Sequence, residues 1–329
     1  MIKRFILLMI VTILGATQIT NAQDPEFTQF YANKLYLNPA FAGSQRCPRI
    51  SVNYRNQWPA LGSTYVTYNA SYDQFVRPLE GGLGLLLMND VQGDGAISTS
   101  TISGMYSYAL RANRFFTVRM GFQASYYQKK LNWDFVFPDM LHPLYGPIYQ
   151  TNEVPPPDLS RSFFDFSAGI VGFNRDYFFG LAVHHLTEPL ESFYGKDKSE
   201  SVLPRKYTVH FGTKIPLPSR RFKRGELSLS PQFIFQQQQD FQQVNYGLYL
   251  NRNTIVAGMW VRQNFGFHYD SFIMLVGFVQ DKIQFAYSYD LTISKLKNQT
   301  LGAHEVSYQM EFYCQPQRTK FRTISCPSF

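Results

Sequence analysis

The chain has 329 residues, a formal net charge of +8, 17% aromatic residues and only 16% charged ones. A soluble protein of this length carries charge on about a quarter of its residues, and beyond the first stretch no apolar run nears the ~20 residues of a membrane helix. So mild a basicity does not argue for nucleic acid, and two classes remain: a membrane β-barrel with Tyr and Trp at its rims, or a large soluble β-sandwich or propeller.

Met1-Ile2-Lys3-Arg4 is a short basic start, residues 5–16 are almost wholly apolar, and Thr20-Asn21-Ala22 supplies small cleavage-site residues. This reads as a secretory signal peptide over residues 1–22, too short in its apolar core to span a membrane. The mature chain is expected to begin at Gln23. Its formal charge falls from +8 to +6, because the signal holds Lys3, Arg4 and no acid.

Residues 23–46 form the second unit, a short helical or plug segment placed at the periplasmic mouth. Asp24 ahead of Pro25 can start a helix. Phe27, Phe30, Tyr31 and Leu35 would then share one face, and Asn38-Pro39 would stop it. Such a one-sided aromatic helix needs a wall to lie against or a partner to dock.

Residues 47–314 read as the barrel. Fourteen alternating segments centre near Asn53, Asn69, Leu85, Ser103, Phe122, Ala168, Leu181, Phe211, Pro231, Tyr246, Ala257, Met274, Phe285 and Tyr308. In the last, Val306, Tyr308, Met310 and Phe312 alternate with Glu305, Ser307, Gln309 and Glu311, one set for lipid and one for water. In the second, Tyr68 and Tyr72 are expected to point inward and obstruct the lumen. With the N-terminus periplasmic, the inner connections are residues 77–80, 111–113, 174–175, 216–224, 251–252 and 280–281. The outer ones are residues 58–62, 91–96, 132–161, 187–204, 236–240, 264–268 and 292–302. Short turns on one side and long loops on the other favour an all-β outer-membrane antiparallel barrel over a sandwich. An even strand count returns the C-terminus to the periplasm.

The longest loop, residues 132–161, is rich in Pro and Tyr, with Val154-Pro155-Pro156-Pro157 to stiffen it over the mouth or toward a partner. His184 and His185 are adjacent, so on a strand they face opposite ways and cannot share a metal. Asp90, Asp94 and Gly95 faintly resemble a calcium loop but lack its spacing and closing Glu, so a hairpin turn is the better reading. No GxSxG, P-loop or HExxH occurs. No catalytic residue, metal site or cofactor is therefore assigned.

Three cysteines in an exported chain suggest one disulfide and one odd thiol. Cys47 precedes the first strand and Cys314 follows the last, which places both at the seam of a closed barrel. The tail could bring Cys326 to either, so three connectivities are open, with the seam pair preferred. Residues 315–329 form the tail, with Arg318, Lys320 and Arg322 ahead of Cys326 and a terminal Phe329. A terminal Phe resembles a barrel-assembly signal, but here it comes well after the last strand. Docking of a periplasmic protein or lipoprotein by these residues, together with Phe27, Phe30, Tyr31 and Leu35, is the functional expectation. A solvated end is the alternative.

The opening DPEFTQFYANKLYLNPAFAGS, the following RCPRISVNYRNQWPALGSTYVTYNASYDQFV and the ending KFRTISCPSF together resemble the PorP/SprF family. The resemblance implies an outer-membrane protein of the type IX secretion and gliding machinery of Bacteroidetes. It further implies service to a secreted surface protein or adhesin, and contact with periplasmic ring proteins or a peptidoglycan-associated lipoprotein. Beside it stand a passive channel for small or hydrophobic molecules, and more distantly an enzyme.

Overall fold

Alternation over eight to fifteen residues decides this architecture, because it gives every segment one apolar and one polar face. The computed structural model describes residues 24–45, 47–62, 64–113, 115–174, 176–194, 202–217, 227–265, 269–293 and 300–314. All fourteen expected centres fall inside strands. These are β1 Arg49–Gln57, β2 Tyr65–Val76, β3 Gly81–Gln92, β4 Ile97–Arg111, β5 Thr117–Leu131, β6 Ser160–Phe173 and β7 Tyr177–His184. They continue as β8 Lys206–Thr213, β9 Leu227–Gln238, β10 Phe241–Arg252, β11 Ile255–Gln263, β12 Tyr269–Gln280, β13 Ile283–Thr292 and β14 Ala303–Glu311.

Each strand pairs antiparallel with its sequence neighbours, and β1 pairs with β14 from Arg49↔Glu311 to Gln57↔Ala303. The sheet is therefore a closed fourteen-stranded barrel with no free edge. One extra strand, Ile215–Pro216, pairs with the start of β9, and a two-residue ladder of Leu141–His142 with Gly146–Pro147 lies in the longest loop. Turns such as Arg77–Leu79 and residues 281–282 gather at one mouth; the long connections gather at the other.

In β14 the polar Glu305, Ser307 and Gln309 are buried in the lumen while Tyr308 faces out between Val306 and Met310. Phe312 lies just past the strand end. In β2 the expected facing is reversed. Tyr68 and Tyr72 are 51% and 36% exposed on the outer wall, and Thr67, Asn69, Ser71 and Asp73 point inward. The reason is volume: small polar residues leave room for residues 24–44, which occupy the lumen.

The seam is closed covalently. Cys47 is disulfide-bonded to Cys314 with Cα atoms 5.6 Å apart, and the Phe312 N–H donates to the Pro48 carbonyl at 2.8 Å. Cys326 lies outside the described residues. The bond ties the ends of a 267-residue separation, so its loss should cost about 2–4 kcal/mol. A Cys47→Ser/Cys314→Ser variant should still fold but convert to its heat-denatured gel mobility at a lower temperature. Reductant should lower the wild type alone to that point; identical melting of both proteins under oxidising conditions would deny the bond a role.

Candidate functional site

The lumen is filled by the segment just ahead of β1. A continuous helix from Asp24 to Asn38 is not formed; only α1, Lys34–Leu37, is α-helical, followed by a 3-10 turn over Pro39–Phe41. The wall explains the difference. Backbone N–H groups that a helix would use are drawn to carboxylates on the barrel, and the Asp24 side chain leaves its capping position for partners on β8 and beyond β7.

The described chain begins at the long-loop mouth and descends. Asp24 Oδ2 lies 2.9 Å from His185 Nε2 and 3.5 Å from Lys206 Nζ, while Asp165 Oδ2 holds His185 Nδ1 at 2.8 Å. Thr187 donates to the other Asp165 oxygen at 2.7 Å. Strand alternation predicts opposite faces for His184 and His185, but β7 ends at His184 and His185 adopts φ +58°. Both rings therefore turn inward, His184 toward the Leu37 carbonyl at 3.4 Å and His185 between two carboxylates. Among the described residues no cluster of His, Cys, Asp or Glu is arranged for a metal.

Below this lies Glu305, fully buried on β14. Its carboxylate accepts the Thr28 N–H and hydroxyl, both at 2.6 Å, and the Gln29 N–H at 3.1 Å. Arg55 joins it at 3.2 Å and reaches Asp290 at 3.0 Å; Arg262 reaches the same Asp290 oxygen at 3.3 Å and Glu26 at 3.4 Å. Gln243 also donates to Glu26, and Ser307 to the Gln29 side chain. The polar wall of β13, β14 and β1 thus grips one side of the segment.

The other side is apolar. Phe30 packs on Trp260 at 5.5 Å between centroids, Tyr31 on Phe178 at 5.4 Å and Phe41 on His210 at 5.4 Å. Phe27, Phe30, Tyr31 and Leu35 are all at most 4% exposed. The face expected to dock a partner at the rim is instead spent on the barrel's own interior, because Trp260, Tyr249, Ile273 and Leu275 supply a matching wall.

Toward the short-turn mouth the backbone presses against the strands. A Cβ at Gly82 would sit 2.0 Å from the Ala42 carbonyl oxygen, and one at Gly121 2.3 Å from the Ala40 nitrogen. Only glycine permits that approach. Asn38 accepts the Ala40 N–H at 2.9 Å and donates to the Leu181 carbonyl at 3.0 Å. Arg119, buried, donates to the Ala40 and Ala42 carbonyls at 3.2 and 2.5 Å, which satisfies the end of the 3-10 turn. Asp73 accepts the Gly43 N–H at 2.9 Å and pairs with Arg49 at 2.8 Å.

Glu305, Arg55, Asp290, Asp165 and Arg119 hold the plug or the side chains that hold it, and no sequence motif marks them. The signal they leave is a charged residue on the inward phase of a barrel strand. Asp90, by contrast, is occupied by Thr67 and Gln92 at 2.6 and 2.7 Å, and Gly93, Asp94 and Gly95 form a left-handed hairpin turn. Arg318, Lys320, Arg322 and Phe329 lie outside the described residues. The loop of residues 132–159 clusters Trp133, Phe135 and Phe137 and exposes Leu144, Tyr145 and Val154.

The upper anchor is expected to respond to pH. Burial lowers the His185 pKa, but the Asp24 and Asp165 carboxylates outweigh it and hold the imidazolium to about 9. Lys206 and the neighbouring His184 and Tyr127 rings complete its surroundings. A raised folded-state pKa stabilises fully below the unfolded value near 6.5, and that stabilisation is lost as pH rises through about 9. Protease cleavage near Asp24 should therefore accelerate between about pH 8 and 10, reflecting a loss on the order of 1–3 kcal/mol. His185→Gln should be cleaved readily and with no such step; a wild type that shows no step either would contradict the assignment.

Residues 19–310 match the family model described as "Type IX secretion system membrane protein PorP/SprF". No curated protein matches the sequence. Among solved structures, the outer membrane protein Omp33 of Acinetobacter baumannii is 6% identical, with 82% of this chain and 100% of that one covered at a TM-score of 0.44. The Ralstonia pickettii toluene transporter TbuX is 10% identical over 85% and 93% of the two chains, at 0.46. A Pseudomonas aeruginosa FadL homologue is 13% identical over 84% and 93%, at 0.42. At these scores none bears on what passes through or binds to this barrel.

Proposed function

The chain belongs to the PorP/SprF family of type IX secretion system membrane proteins, and from that premise we propose that it is a closed, non-conducting and non-enzymatic anchor of the machinery in the outer membrane. It holds or helps export a surface protein or adhesin at the long-loop mouth and docks periplasmic partners at the short-turn mouth. The observation that carries this is the lumen, occupied from Asp24 at one mouth to Gly43 at the other by a segment gripped on all sides. A passive channel needs a continuous path for its solute; a filled barrel serves as a rigid platform.

The loop asymmetry supports short turns in the periplasm. The C-terminal tail then starts in the periplasm, beside the Cys47–Cys314 bond. On the same reading Asp24, where the described residues begin, lies at the outer mouth. Docking of a periplasmic ring protein or lipoprotein falls to Arg318, Lys320, Arg322 and Phe329, while Phe27, Phe30, Tyr31 and Leu35 serve the plug.

The test is paired. Deletion of residues 315–329 should leave a heat-modifiable barrel yet remove the periplasmic partner from mild-detergent co-purification and abolish client display. Trimming residues 133–158 should lose the client and keep the periplasmic partner. A tail deletion that retains every partner and displays its client normally would refute the docking role.

A further inference from the structure

At the long-loop mouth, above the plug and beside Glu26, lies a cavity of about 330 Å³. Its floor is polar, buried and only partly satisfied. Arg262, Ser271 and Asp290 line it at 5%, 3% and 2% exposure, and Arg262 Nη2, Ser271 Oγ and Asp290 Oδ1 have no protein partner. Its rim carries Trp58 and Tyr269. Trp58 is held in the left-handed region at φ 57°, its N–H on the Gly302 carbonyl at 2.8 Å and its ring edge-on to Tyr65. A bulky side chain in that backbone region is unfavourable and marks a position set by something other than local preference.

We propose that this cavity binds one or two pyranose rings of a neutral sugar. Its charges exclude the simpler alternatives. An anion meets the carboxylates of Glu26, Asp270 and Asp290; a cation meets the guanidiniums of Arg55 and Arg262. An apolar ligand would strip water from the accessible polar lining, the amides of Gln57, Gln242 and Gln263 and the carboxylate of Asp270, and replace it with nothing. A polyhydroxyl ring offers donors to the Asp270 carboxylate, while side-chain amides such as Gln57, Gln242 and Gln263 serve either sense. Its C–H face suits the aromatic rim, since indole and phenol rings combine apolar area with a polar edge. The volume falls at the lower end of ligand sites, about 300–1,000 Å³, which limits the occupant to one or two rings.

The full chain should be purified in a non-glycosidic detergent, because a maltoside headgroup would itself compete. Maltose and lactose are then titrated by saturation-transfer NMR, with glycylserine and acetate as comparators. Saturable transfer from at least one disaccharide is expected, with the dissociation constant raised tenfold or more in each of Trp58→Ala and Tyr269→Ala at unchanged heat-modifiable mobility. Tyr269 is 52% exposed, so its replacement keeps the test open if Trp58→Ala misfolds. Absence of saturable transfer from both sugars, equal affinity in the folded variants, or tighter binding of glycylserine would each overturn the proposal.

Discussion

In a planar bilayer the intact protein should pass little or no current, whereas a variant lacking residues 24–41 should open stable steps, roughly tenfold or more above the intact level. The wall does not depend on the plug. Its strands are joined by a continuous ladder that closes at β1–β14 and β8–β9, and the Cys47–Cys314 bond locks the seam. Removing the plug takes a partner from several charged side chains, among them Glu305, Arg55, His185 and Arg119. In a vacated lumen water reaches all of them, so the penalty of an uncompensated buried charge is relieved. The deletion is therefore expected to yield a folded, water-filled barrel with unchanged gel mobility. A folded deletion variant as silent as the intact chain would mean that something other than residues 24–41 closes the path.

What the sequence disclosed follows from which physical rule dominated at each position. β14 is the plainest case: Glu305, Ser307 and Gln309 against Val306, Tyr308 and Met310 obey a period of two that only a strand with one wet and one greasy face requires. Cys47 and Cys314 were legible for a related reason, since a closed barrel must bring its first and last strands together. Tyr68 and Tyr72 face opposite to expectation because phase cannot be fixed from a strand where both faces look amphipathic; Thr67, Asn69 and Ser71 are the smaller lumen residues. For the His184-His185 pair, alternation holds only as far as the strand, and the φ of +58° at His185 lies one residue beyond it. The plug was the hardest. Residues 24–33 carry helical spacing, but their backbone is shaped by partners more than 250 positions away, notably Glu305. Local propensity carries no trace of such a partner.

Replacing Glu305 by Ala should release the plug without unfolding the barrel, and this is the most demanding expectation of a single side chain. Its carboxylate collects four donors, the Thr28 N–H and hydroxyl, the Gln29 N–H and the Arg55 guanidinium. Breaking one side of a buried ionic set costs about 3–5 kcal/mol, but Asp290 still neutralises Arg55 at 3.0 Å, so about 2–4 kcal/mol is the better expectation. That cost is charged against the plugged state alone, because water reaches Arg55 once the segment leaves. Conductance should then flicker between the silent level of the intact protein and the open level of the residue 24–41 deletion, with no change in heat-modifiable mobility. Glu305→Gln keeps one acceptor for the two backbone N–H groups and should open less often than Glu305→Ala. Thr28→Val, which removes only the hydroxyl, should open least of the three. Should Glu305→Ala prove as silent as the wild type while the full deletion conducts, the grip on the plug would have to lie with the apolar wall around Trp260 and Phe178 and not with the carboxylate.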